Sequence, residues 1–132
     1  MSAPRVYPPR VLDASALITL FDGNLDVLNM LTDAESGDVF LLMPALAIAE
    51  AELVLRAGAR LWEPFLLFRG VRSLELTEHT AIESANLAAE NPSPVSPLMI
   101  AQAVYEAQNV NGVVVTQTPA AYQGYDVALL PV

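Results

Sequence analysis

Two carboxylates stand out by where they fall in the 132-residue chain. Asp13 closes the short run Arg10-Val11-Leu12, where a strand of a parallel sheet would deliver a side chain to the sheet's carboxyl edge. Ser15 follows two residues later. Glu50 lies in the stretch from Pro44 to Ala57, which has proline at its head, a well-tolerated first helical residue. The residues three and four positions from Glu50 are Leu46, Ala47, Leu53 and Val54, so its carboxylate is expected on an apolar helix face directed at the core. A charge so placed calls for a paired cation or a metal. Converging carboxylates would suit a hard divalent cation, which prefers oxygen ligands. Glu52 reads differently. It precedes Arg56 by four residues, the favourable spacing for an exposed ion pair.

These side chains need a frame. Arg10 to Asp13, Val39 to Met43, Val71 to Leu76, Val113 to Thr116 and Val127 to Leu130 read as strands, several of them continuous apolar runs of the kind buried on both faces. Helices are expected from Ser15, as cap, to Phe21; from Leu25 to Glu35; from Pro44 to about Ala57; and from Arg60 to Phe68, with Pro64 near its start. Thr77 caps a further helix running to Glu90, and Ser96 and Pro97 open one running to about Gln108. Asn91 to Pro97 is turn-rich, and Pro119 to Gly124 is a loop or single turn. Strands alternating with helices imply an α/β, three-layer α/β/α domain with a central, mainly parallel sheet. Residues 1–9 form a proline-punctuated lead-in and residues 10–132 one domain. In such sheets the site lies beyond the carboxyl ends of the strands, at Asp13, Met43 to Glu50, and Thr116 to Thr118.

Composition narrows the chemistry. Hydrophobic residues make up 54% and charged residues 16%, which excludes disorder. Without cysteine there is no thiolate zinc site or catalytic thiol, and the single histidine, His79, excludes a multi-histidine centre and reads as a solvated first-turn residue. The net charge is -9, and every basic residue is an arginine lying before Ser73. Such a chain repels a nucleic-acid backbone unless a local patch or bound cations intervene, which favours metal binding or a basic partner. Trp62, Phe65, Leu66 and Phe68, flanked by Arg56, Arg60, Arg69 and Arg72, read either as core or as a partner or dimer surface; those arginines are also the one basic patch available to guide a nucleic acid. The longest apolar stretch, Val39 to Ala49, is short of the roughly 20 residues that span a bilayer, and Arg5, Pro8, Pro9, Arg10 and Asp13 interrupt any leader, so a cytoplasmic protein away from membranes is expected.

The ordered set of motifs resembles the PIN-domain family, including its VapC-type toxins. Val11-Leu-Asp-Ala-Ser-Ala-Leu17 is similar to the family's opening, where the first acid ends a strand. Pro44-Ala-Leu-Ala-Ile-Ala-Glu50 is similar to the strand-to-helix step bearing the second acid. Ala101 to Ala107 matches the body of the helix that opens with a third, and Val113 to Pro119 the strand ending in Thr-Arg-Asp, which gives a fourth. The resemblance implies Mg²⁺- or Mn²⁺-dependent ribonuclease chemistry, with Asp13 and Glu50 as catalytic metal ligands and Ser15 and Thr116 supporting them. It also implies RNA as substrate, an antitoxin or other protein partner through the Trp62, Phe65 and Phe68 region, and a homodimer. The third acid falls at Pro97, the fourth at Thr118, and the usual arginine at Gln117, so half of the acidic set is absent. Ligands that act as a unit are not additive, so activity is expected to be weak or lost. Asp22, Glu90 and Glu106 are candidate replacements. The alternative is a non-catalytic binding or regulatory module. A phosphoacceptor domain, which also ends its first strand in an acid, would need a lysine, and the chain has none.

Overall fold

The computed structural model describes residues 7–132. β1 (Arg10–Leu12) leads into α1 (Ala14–Phe21) and α2 (Leu25–Glu35). β2 (Leu41–Pro44) leads into α3 (Ala45–Leu55) and α4 (Ala59–Leu66), and β3 (Val71–Leu74) into α5 (Glu78–Glu90) and α6 (Pro97–Val110). β4 (Val113–Thr116) reaches β5 (Ala128–Pro131) through a single 3-10 turn, Pro119–Tyr122. The expected lead-in falls mostly outside the described residues. Its last residue is tied down, since the Pro9 carbonyl accepts from the Val113 amide at 2.9 Å.

The five strands lie in the order β3-β2-β1-β4-β5, and every neighbouring pair is parallel. The order runs outward in one direction from β1 and in the other from β4. Connections therefore diverge between these two strands and leave a crevice beyond their carboxyl ends. β1 is central, and Val11 and Leu12 are fully buried, as are Leu41 and Met43 of β2 and Val114 and Val115 of β4. Helix α6 packs across β1, β2 and β4 and against α5, while α1 packs against α3. α6 carries the largest buried stripe, from Met99 through Ala107.

Where the elements differ from the sequence expectation, local chemistry explains it. Asp13, not Ser15, caps α1: its side chain accepts from the Ala16 amide, one of the amides a helix start leaves without an internal partner. Pro44 ends β2, in register with Leu74, instead of opening the helix. α3 stops at Leu55 because Arg56 turns left-handed at φ 52°. The Glu52 carboxylate holds that turn, accepting from the amides of Ala57 at 2.7 Å and Gly58 at 2.9 Å and from the Trp62 indole at 3.3 Å. These bonds, the Gly58 amide first, hold Glu52 below its ordinary pKa, and Arg56 contributes only the smallest part. Glu52 is thus the capping residue of a corner and not half of an exposed ion pair. Pro64 falls near the end of α4, not its start, and lacking an amide it leaves the Arg60 carbonyl without its helical donor.

Candidate functional site at the switch point

Asp13 stands at the crevice with its amide still donating to the Val115 carbonyl of β4 at 3.2 Å. Its side chain is fully buried. Oδ1 accepts from the Ser15 hydroxyl at 2.7 Å and from the Ala16 amide at 3.0 Å, and Oδ2 accepts from the Tyr122 hydroxyl at 2.7 Å. Tyr122 is buried on the turn between β4 and β5. Burial, then the charge of Asp13 and the bond to it, push the phenol far above its ordinary pKa. It is therefore a neutral donor at physiological pH, and both oxygens of Asp13 are engaged by donors from the chain itself.

The remaining hydroxyls extend this network. Ser15 Oγ accepts from the Gln117 amide at 2.8 Å. Thr116 Oγ1 accepts from the Thr118 amide at 2.9 Å and lies 3.3 Å from both Ser15 Oγ and Thr118 Oγ1. The structure therefore brings Asp13, Ser15 and Thr116 together and adds Thr118, the position where the resemblance called for an acid.

Glu50 is set apart. It is half-buried, and among the described residues no hydrogen bond or ion pair reaches its carboxylate. It lines a cleft of about 350 Å³ with Ile18, Leu53, Val54, Val95 and Met99, and with Ser15, which is the hydroxyl shared with the Asp13 network. Asp13 itself does not line this cleft. The expectation that Glu50 points into the core is corrected. α3 packs through Ala47 and Ala51, both fully buried, while Leu53 and Val54 are 69% and 67% exposed. The face that carries Glu50 looks across the cleft to solvent. Ser96 and Thr118 stand on the cleft's other walls. Ser96 takes the cap position of α6, but in a left-handed conformation (φ 48°) and with no side-chain cap bond.

Two residues that position the site were missed in the sequence. Gln102, fully buried on α6, accepts the Leu46 amide at 3.0 Å through Oε1, so α6 satisfies a first-turn amide of α3 and sets the two cleft walls relative to each other. Its signal was a polar residue inside the apolar run of α6. Tyr122 had no signal beyond being a tyrosine in a turn.

A divalent cation does not fit these residues. Asp13 already accepts three bonds, from Ser15, Ala16 and Tyr122, and no group of three His, Cys, Asp or Glu side chains able to hold an ion exists among the described residues. Hard cations need several converging oxygens. None of the candidate replacements lines the cleft. Asp22 and Glu90 are exposed, and Glu106 is half-buried on α6, where burial raises its pKa. Nor does any arginine among the described residues line the cleft. Arg72 stacks over Phe40 at 5.7 Å and bonds the carbonyls of Arg69 and Val71. The aromatic stripe also turns inward. Trp62 is 4% exposed, with Phe21 edge-on at 4.8 Å, and Phe65 meets the same ring at 5.0 Å. His79 is exposed, as expected, with its ring edge-on to Tyr105.

No family model matches the sequence, and no curated protein matches it. Solved structures do. VapBC2 from Rickettsia felis, bound to a DNA fragment from their promoter, has a chain similar over 93% of this one and 98% of its own, at 12% identity and a TM-score of 0.63. PAE2754 from Pyrobaculum aerophilum is similar over 92% of this chain and 83% of its own, at 20% identity and a TM-score of 0.62. At these identities the likeness establishes the fold. It is the α/β fold of VapC-type PIN-domain proteins, as the order of the motifs implied. Among the described residues no helix is long and apolar enough to cross a membrane.

Proposed function

We propose that this chain is a PIN-fold binding module that works through a protein partner and has given up metal-dependent hydrolysis. The observation that carries this reading is the 2.7 Å bond from the Tyr122 hydroxyl to Asp13 Oδ2, which closes the one carboxylate standing where the fold would place a first metal ligand. Retained ribonuclease activity would instead require Mg²⁺ or Mn²⁺ to displace Tyr122 and to be held by Asp13 and Glu50, with Ser15 and Thr116 in support. Incubating the protein with RNA and Mn²⁺ or Mg²⁺ tests the choice. The expected outcome is no cleavage above that of Asp13→Ala and Glu50→Ala controls. Cleavage that both substitutions abolish would overturn the reading.

Because VapBC2 is a complex bound to promoter DNA, the partner of this chain is read as an antitoxin-like protein. The side chains such a partner would meet are not the inward aromatics Trp62, Phe65 and Phe68. They are the outward apolar ones beside them in the chain, Leu61 of α4 and Leu67 just after it, each more than half exposed. A second copy of the chain is the other partner that these residues suit, and sedimentation at two concentrations separates the two cases.

A further inference from the structure

We propose that the cleft beneath Glu50 is a binding site for a small organic cation, a primary amine carried on an apolar body. The inference rests on the non-hydrolytic reading above, because it takes Glu50 to be free of metal. Its volume, about 350 Å³, lies in the range of small-molecule sites, which pair a mainly apolar lining with a few placed polar groups.

Here the apolar lining comes from three directions: Ile18 of α1, Leu53 and Val54 of α3, and Val95 and Met99 at the start of α6. The polar groups are unequal. Ser15 is committed to Asp13 and to the Gln117 amide, and the Thr118 hydroxyl lies against Thr116. Among the described residues Glu50 is the one charged group on the wall, and none of them pairs with it. The charge decides the class of ligand. An anion, a phosphodiester included, meets a carboxylate, no arginine among the described lining residues and a chain of net charge -9. A neutral apolar molecule would cover Glu50 without replacing the water it loses. A bare divalent ion would find a single carboxylate among hydrocarbon. An amine donates one or two of its three N–H groups to Glu50, keeps the rest in water at the open side of the cleft, and lays its carbon body on Val54, Val95 and Met99, so both kinds of wall are satisfied at once.

The test is a titration of the isotope-labelled full chain, followed by amide resonances, with 2-phenylethylamine and hexylamine, with neutral 2-phenylethanol, with 3-phenylpropanoate, and with Mg²⁺. Both amines are expected to shift amides at Ser15, Leu53, Val54 and Met99. The alcohol should bind about fivefold more weakly, the carboxylate weaker still, and Glu50→Gln should reduce amine affinity by about the same fivefold, the worth of a partly exposed ion pair. Equal binding of amine and alcohol, an unchanged affinity in Glu50→Gln, shifts confined to other surfaces, or no binding by either amine would each overturn the proposal. The Mg²⁺ arm reports separately. Mg²⁺ shifts centred on Ala14 to Ala16 would overturn the non-hydrolytic reading, whereas failure of the amines with a silent Mg²⁺ arm would leave that reading standing and remove only the cleft ligand.

Discussion

Asp13 and Glu50, which the motif order pairs as ligands of one ion, occupy opposite environments. Asp13 is fully buried and accepts three hydrogen bonds, one of them from a residue 109 positions away. Glu50 is half-buried, accepts none from the described residues, and faces an open cleft. The difference separates two uses of a carboxylate. A buried acid surrounded by donors is an assembly point, where a helix start, a strand end and a distant turn are fastened together. An acid on a cleft wall with no donor is available to whatever enters. Glu52, two residues from Glu50 on the same helix, falls with Asp13 in this division, since it too gathers backbone amides and an indole.

The comparison can be broken at its strongest point first. Asp13→Ala should cost at least about 3 kcal/mol, because it removes the cap of α1 and leaves the buried Tyr122 hydroxyl without an acceptor. Urea unfolding measures this, and a loss below about 1 kcal/mol would mean that Asp13 is not an assembly point. Tyr122→Phe should cost about 2 kcal/mol, the usual worth of a hydrogen bond to a charged group. Its pH dependence carries a sign. The pKa of Tyr122 is raised above the ordinary 10.0, so its contribution is complete below that value and is lost as pH rises beyond it. The stability gap between the native chain and Tyr122→Phe should therefore narrow above about pH 10, read from thermal midpoints in alkaline buffers.

Glu52→Gln should lower the thermal midpoint by less than Tyr122→Phe does, because its turn is closer to solvent. Its pKa is depressed from 4.5, so the contribution is present above that pH and disappears as pH falls through the lowered value. The native-to-variant difference should close in acid, opposite in direction to Tyr122. Smallest of all is Glu50→Gln, expected to change stability by no more than about 0.5 kcal/mol. A loss comparable to that of Asp13→Ala would place Glu50 in the core network after all and erase the contrast.

Much of the frame was legible in the chain. The apolar runs of β1, β2 and β4 and the strand-helix alternation are enough to specify a parallel sheet, and the reversal beside β1 then locates the crevice. Asp13, Ser15 and Thr116 could be found because each lies within a few residues of a strand end. Glu50 was harder. Helical spacing tells which side chains share a face, but not whether that face meets the core or a cleft, which depends on how α1 and α6 close around α3. Glu52 was misread because the spacing to Arg56 suggested an ion pair, whereas the backbone reversal at Arg56 and Gly58 brought free amides within its reach. Tyr122 was invisible for a plainer reason. Its meaning lies in a contact between the two ends of the chain, and nothing local announces it.

That contact ties the assembly of the sheet to the chemistry of its centre. Tyr122 is carried by the short connection that brings β5 alongside β4, and β5 is an edge strand. Docking the last strand and closing Asp13 are therefore coupled. Once β4 is paired with β1, Tyr122 follows it on a short connection, so closing Asp13 adds little loop entropy of its own. An opening of β5 that carried its connection away would take the third donor from Asp13 and leave one carboxylate oxygen unoccupied, so the state of the site follows the docking of an edge strand as well as the residues that line it.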